Sequence, residues 1–142
     1  RQNGDRHLSI KGTTDVKKSL IALLLITSAS SYADKIPVSI ENVIAGTNAR
    51  EHSLKNGELT VRYDRSKVTQ DMATAMFDWI CNDYFMNKWK PETIKRVTLL
   101  NVTRDQGYKI DAGGNECKKS GSMTFEQEKA YKANIIENAT QF

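Results

Sequence analysis

The 142-residue chain carries 21 Lys and Arg against 17 Asp and Glu, a formal net charge of +4. Five of the basic and two of the acidic residues precede Ala33, where a cleavage site is expected, so the remaining 109 residues sit close to +1. That near-neutral balance removes the case for a nucleic-acid-binding protein, and the length leaves room for one domain with one core.

Residues 1–15 are polar and follow no helical or strand period. They read as a non-native upstream extension, with translation starting at Val16 on a non-AUG codon, a practice that points to a bacterial source. From Val16 the pattern changes. Lys17 and Lys18 form a basic start, Leu20 to Ile26 is an unbroken apolar run, and Ser31 and Ala33 are small residues at the −3 and −1 positions. This is the three-part pattern of a cleavable secretory signal peptide over residues 16–33, with Asp34 as the first mature residue. The apolar run is far short of the roughly 20 residues that span a bilayer. No cysteine follows it, so neither a stable membrane anchor nor a lipid anchor is expected.

Both cysteines, Cys81 and Cys117, fall in the mature part. In an exported chain the economical arrangement is a disulfide between them. With His52 as the single mature histidine, the ligand supply for a metal is poor, and no metal or other cofactor is expected.

In chain order, Ile36, Val38 and Ile40 alternate with polar residues or proline, which predicts a strand at a sheet edge. A polar stretch runs from Gly46 to Ser53. Asn56-Gly57 signals a tight turn, and Leu59, Val61 and Tyr63 predict a second strand behind it. Val68, Met72, Met76, Ile80 and Tyr84 recur every four residues, and Phe77, Cys81 and Phe85 widen the stripe. They predict an amphipathic helix over about 68–87, capped by Ser66 or Thr69. Residues 93–103 are rich in β-branched side chains, Asp105-Gln106-Gly107 makes a turn, and Tyr108, Ile110 and Ala112 alternate after it. These predict a hairpin. Gly113-Gly114 breaks the chain as a flexible loop serving Cys117. Thr124 with Gln127 forms a capping box for a shorter helix of about 124–137, with apolar surface from Phe125, Tyr131, Ile135 and Ile136. The expected fold is α+β: a mostly antiparallel sheet in β-β-α-β-β-α order, a long amphipathic helix and a C-terminal helix packed on one face, and one disulfide.

Ordinary catalytic equipment is missing. His52 lies in a polar segment next to Ser53, and adjacent residues of an extended segment point apart, so the two make no dyad. Asp71 and Asp78 share a helix face with Asp83 slightly off it, which a solvated surface explains better than a glycosidase pair. Asp111 to Glu116 lacks the spacing of a calcium loop. A candidate contact surface is Lys88-Trp89-Lys90 with Lys95 and Arg96, since tryptophan among cations is a common interface anchor; core closure by Trp89 is the competing reading. Asn101-Val-Thr103 and Asn138-Ala-Thr140 match the glycosylation sequon, which matters only in a eukaryotic secretory pathway. The expectation is a periplasmic or secreted, non-catalytic domain that binds another protein, as an inhibitor or immunity factor does. The alternatives are an accessory subunit of an envelope assembly, favoured by an exposed edge at Ile36–Ile44, and an enzyme with an unrecognised carboxylate site.

Overall fold

Ile36, Ile40 and Ile44 stand four residues apart, and all three are buried in the computed structural model, which describes residues 33–142. They belong to or abut the first helix, α1 (Val38–Ala45), so the strand expected at Ile36–Ile40 is corrected to a helix. Three alternating residues fit both periods. The next isoleucine, at Ile44, decides for the helical one, while Val38 points out, 61% exposed. Pro37 sits at the N-cap, where a missing N–H costs no intrahelical bond. The apolar edge strand that would have favoured an envelope subunit therefore does not exist. The extension and the leader, up to residue 32, lie outside the described residues.

The first strand, β1 (Ala49–Lys55), instead occupies the polar stretch. Among its residues Leu54 alone is fully buried. Its extended form comes from pairing with β2 (Glu58–Tyr63) rather than from its own pattern. Asn56 and Gly57 close the hairpin with φ of 52° and 77°, the two left-handed residues of a type I′ turn. The Gly57 carbonyl accepts the N–H groups of Lys95 and Arg96. A Cβ at Gly57 would lie 2.9 Å from the Lys95 side chain, so this corner needs glycine on two counts.

α2 (Gln70–Asn87) follows, capped by Thr69, whose hydroxyl accepts from the Met72 N–H. Ala73, Met76, Phe77, Ile80, Cys81 and Tyr84 form its buried face, as the four-residue period predicts. It ends at Lys88 in a left-handed conformation, and Pro91–Thr93 forms a 3-10 turn. β3 (Arg96–Leu100) and β4 (Gly107–Ile110) make the expected hairpin. Because α2 carries the chain across the sheet, β3 pairs with β2 in parallel. A short α3 (Gly114–Ser120), α4 (Phe125–Glu137) and β5 (Thr140–Gln141) complete the chain, and the sheet order is β1-β2-β3-β4-β5. The class is α+β as expected, with one parallel pair in an otherwise antiparallel sheet.

Three local expectations change. The Gly113-Gly114 loop is the start of α3, with both glycines buried. A Cβ at Gly113 would lie 2.0 Å from the Ile94 carbonyl oxygen, and one at Gly114 2.3 Å from that of Pro91, so glycine lets α3 press against this backbone. The α4 capping box forms as predicted, but Phe125 points into solvent, and Ile136 is the helix's fully buried residue. β5 is too short to carry a pattern of its own. Leu59, Val61, Tyr63, Val97 and Leu99 face the helices, with α1 packed on β1, α2 packed on β4, and α3 and α4 packed on α2. No helix among the described residues is long and apolar enough to cross a membrane.

Candidate functional site

The two cysteines meet. Cys81 in α2 and Cys117 in α3 form a disulfide with Cα atoms 5.0 Å apart, both fully buried.

The five residues of the expected contact patch do not stay together. Trp89 is half-buried: its indole Nε1 donates to Asp83 Oδ2 at 2.9 Å, and its ring stands edge-on to Tyr84 at 5.1 Å. It closes the core beside α2. Lys88 lies over the Phe85 ring, with Nζ 5.7 Å from the centroid. Lys90 and Lys95 line a shallow cleft with Asp34 and Glu92. Arg96 turns to Asp111 with two hydrogen bonds of 2.9 and 2.8 Å.

Asp83 corrects the reading of a solvated acidic face. It is 7% exposed and accepts from three neutral donors, Ser39 Oγ, Asn87 Nδ2 and Trp89 Nε1. The helix face that carries it turns toward α1, which the sequence reading had placed in the sheet. Asp78 lines a cleft between α2 and α4, where Lys132 is shared between it and Glu128. Asp71 stands exposed in the first turn of α2. In the Asp111–Glu116 segment, Asp111 Oδ1 accepts from Arg96 and Glu116 Oε2 accepts from the Gly113 N–H.

His52 is exposed, as expected, but on β1 rather than in a loop. Its neighbour Glu51 is bridged by Arg62 and Arg104 on the open face of the sheet. Hydrogen bonding from Arg62, opposed by desolvation and reinforced by Arg104, lowers the Glu51 carboxyl to about 2. A depressed folded-state value means that the stabilisation is complete above the ordinary value of 4.5 and is lost as pH falls from there toward about 2. Glu51→Gln is expected to flatten the acid limb of stability in that window. An NMR titration of the wild-type Glu51 side chain is expected to show its midpoint near the lower end; an ordinary glutamate midpoint would contradict the bridge.

Of the two sequons, Asn101 is 3% exposed, and its amide is spent on the Ser66 carbonyl, Thr103 and Asp105, where it organises the β3–β4 turn. Asn138 is the exposed one.

The surface that the sequence reading missed surrounds Trp79. This side chain is 45% exposed on α2. It forms one wall of a cleft of about 490 Å³ with Met72 and Ala75. The turn from α1 into β1 (Gly46, Thr47, Asn48) and the buried Tyr63 line it as well. Burial pushes the Tyr63 phenol up to about 12, so it stays neutral in ordinary conditions. Arg65 and Lys67 also line the cleft, and neither pairs with a carboxylate among the described residues. An apolar wall with a Trp and two free cations suits an apolar group beside an acidic one. The available signal was Trp79 itself, a large aromatic on α2 outside the stripe of Val68, Met72, Met76, Ile80 and Tyr84.

No family model, curated protein or solved structure matches this chain. What it does must be argued from its own surface.

Proposed function

We propose that the chain is exported, cut between Ala33 and Asp34, and works in the periplasm or outside the cell as a non-catalytic protein-binding domain of the inhibitor or immunity type. The observation that carries the reading is Trp79. A large aromatic left in water beside a cleft costs solubility and gains its free energy when a partner covers it. The opposite side of its helix is locked into the core and stapled by the disulfide, so the face is presented rigidly and loses little entropy on binding. The disulfide also suits an oxidising compartment. The accessory-subunit alternative has less support, because the exposed edge strand β1 carries Arg50, Glu51, His52 and Lys55, charges that discourage strand addition.

The test is capture from an envelope extract of the native host by the tagged protein and by its Trp79→Ala variant, with N-terminal sequencing of the protein recovered from the host. The expected outcome is a partner retained by the wild type, weakened by roughly 30-fold or more in the variant, and a mature chain starting at Asp34. Equal recovery by the two proteins would move the contact surface elsewhere. Recovery of the uncut chain would remove the export reading.

A further inference from the structure

The connection from β2 into α2 has no regular structure, yet it is fastened along its length. The β3–β4 turn holds it from one side. There the Val102 N–H and Asn101 Nδ2 donate to the carbonyls of Arg65 and Ser66. The Gln106 side-chain amide pairs with both backbone groups of Val68, at 2.7 and 2.9 Å. Val68 itself is fully buried. On the free side, Tyr63, Arg65, Lys67 and Thr69, every second residue, line the cleft beside Trp79. A segment already held in this way loses little freedom when a ligand arrives.

Tyr63 is the unusual member of this set. It is 4% exposed, and its hydroxyl makes no hydrogen bond to any described residue. Every fully enclosed side-chain nitrogen or oxygen among the described residues has a partner, so this hydroxyl keeps its opening to the outside through the cleft it lines. A buried phenol normally finds a partner for its O–H. Burial alone holds its pKa at about 12, so the proton stays in place to be donated. Arg65 and Lys67 add two positive charges, and no carboxylate lines the cleft. Of the acidic residues close by in the chain, Asp64 pairs with Arg50 at 2.9 Å and Asp71 takes no part in the lining.

We infer that the cleft binds a small aromatic carboxylate. Its carboxylate accepts from the Tyr63 hydroxyl and pairs with Arg65 and Lys67, while its ring lies against Trp79 and Met72. A charge-assisted bond to a desolvated donor is the strong kind. Ring contacts with an indole and a thioether are favourable beyond the area they cover. The volume of about 490 Å³ falls within the range of roughly 300–1,000 Å³ that small-molecule sites occupy. An anion without an apolar body would leave Trp79 in water, and a neutral ring would leave both cations unpaired. This ligand stands apart from the export and inhibitor readings and shares only Trp79 with them.

NMR titration of the purified protein with 2-naphthoate, its neutral amide and inorganic phosphate tests the inference. Naphthoate at millimolar concentration or below is expected to shift the Trp79 indole N–H together with the backbone amides of Arg65 and Lys67. The amide and phosphate, each lacking half of the ligand, are expected to bind weaker by roughly 10-fold or more. Tyr63→Phe is expected to weaken naphthoate by roughly 10-fold. Its thermal stability should equal or exceed that of the wild type, since the hydroxyl has no bond within the fold to lose. Replacing Arg65 and Lys67 together by glutamine, both exposed, should weaken naphthoate by a similar factor and leave the amide unchanged. No shift at the cleft, equal binding of naphthoate and its amide, or variants that bind naphthoate as the wild type does would each overturn the inference. So would a Tyr63→Phe protein that is less stable than the wild type. Naphthoate in the cleft with no protein captured through Trp79 upholds the inference and removes the inhibitor reading. A captured protein with no naphthoate bound removes the small ligand alone.

Discussion

Replacing Cys81 and Cys117 together by alanine is expected to lower the unfolding free energy by about 3–4 kcal/mol. The bond closes a separation of 36 residues, and the chain-entropy argument assigns most of the loss to the freedom that the unfolded chain regains. The native state loses packing as well, since both sulfurs are fully buried. α3 has only seven residues, too few to hold together as an isolated helix, and Cys117 ties it to the middle of α2. A loss of this size in a domain of about a hundred residues corresponds to a fall in Tm on the order of 15–25 °C. Thermal unfolding followed by circular dichroism measures it, and reduced wild-type protein should show a similar fall. A variant within about 1 kcal/mol of the wild type would mean that packing alone holds α3 in place.

Asp83→Ala is expected to cost about 3 kcal/mol, because three donors lose their shared acceptor at a site closed to water. Ser39 brings in α1, Asn87 the end of α2, and Trp89 the strap leading to the 3-10 turn, so the carboxylate binds three parts of the chain at one point. Trp89→Phe removes one of the bonds and keeps most of the apolar volume, and about 1 kcal/mol is expected for it. Urea denaturation of both single variants and the double variant forms a cycle. The expected result is a double variant less destabilised than the sum of the singles, since deleting Asp83 already leaves the indole N–H without its partner. Strict additivity would show that the Asp83–Trp89 contact contributes nothing of its own. An Asp83→Ala protein as stable as the wild type would remove the network from the account of the fold.

The elements legible in the sequence are those whose signal is local. The four-residue recurrence from Val68 to Tyr84 outweighs any other period, and Thr69 and Thr124 supply cap oxygens at the expected positions. Asn56-Gly57 can take the positive φ angles that a two-residue hairpin demands. Ile36–Ile40 was too short to separate a period of two from one of four. β1 carried no apolar pattern, because an edge strand whose side chains mostly face water has none to show. The exposure of Trp79 was hidden for a related reason. Trp79 stands among Met76, Phe77, Ile80 and Cys81 along the chain and does not stand out from them, whereas Trp89 is flanked by lysines.

By itself, then, the sequence determined the class of the fold, the presence of α2 and α4, the capping box of α4, the Asn56-Gly57 turn and the partnership of the two cysteines. Each follows from interactions between residues near in the chain or from the chemistry of an oxidised pair. Only the tertiary structure decided that β1 exists, that β2 and β3 run parallel, that Asp83 is buried, and that Trp89 turns inward while Trp79 stays in water. Those outcomes depend on which group lies opposite across the core: a β2 backbone for β1, a carboxylate for the Trp89 indole, and open solvent for Trp79.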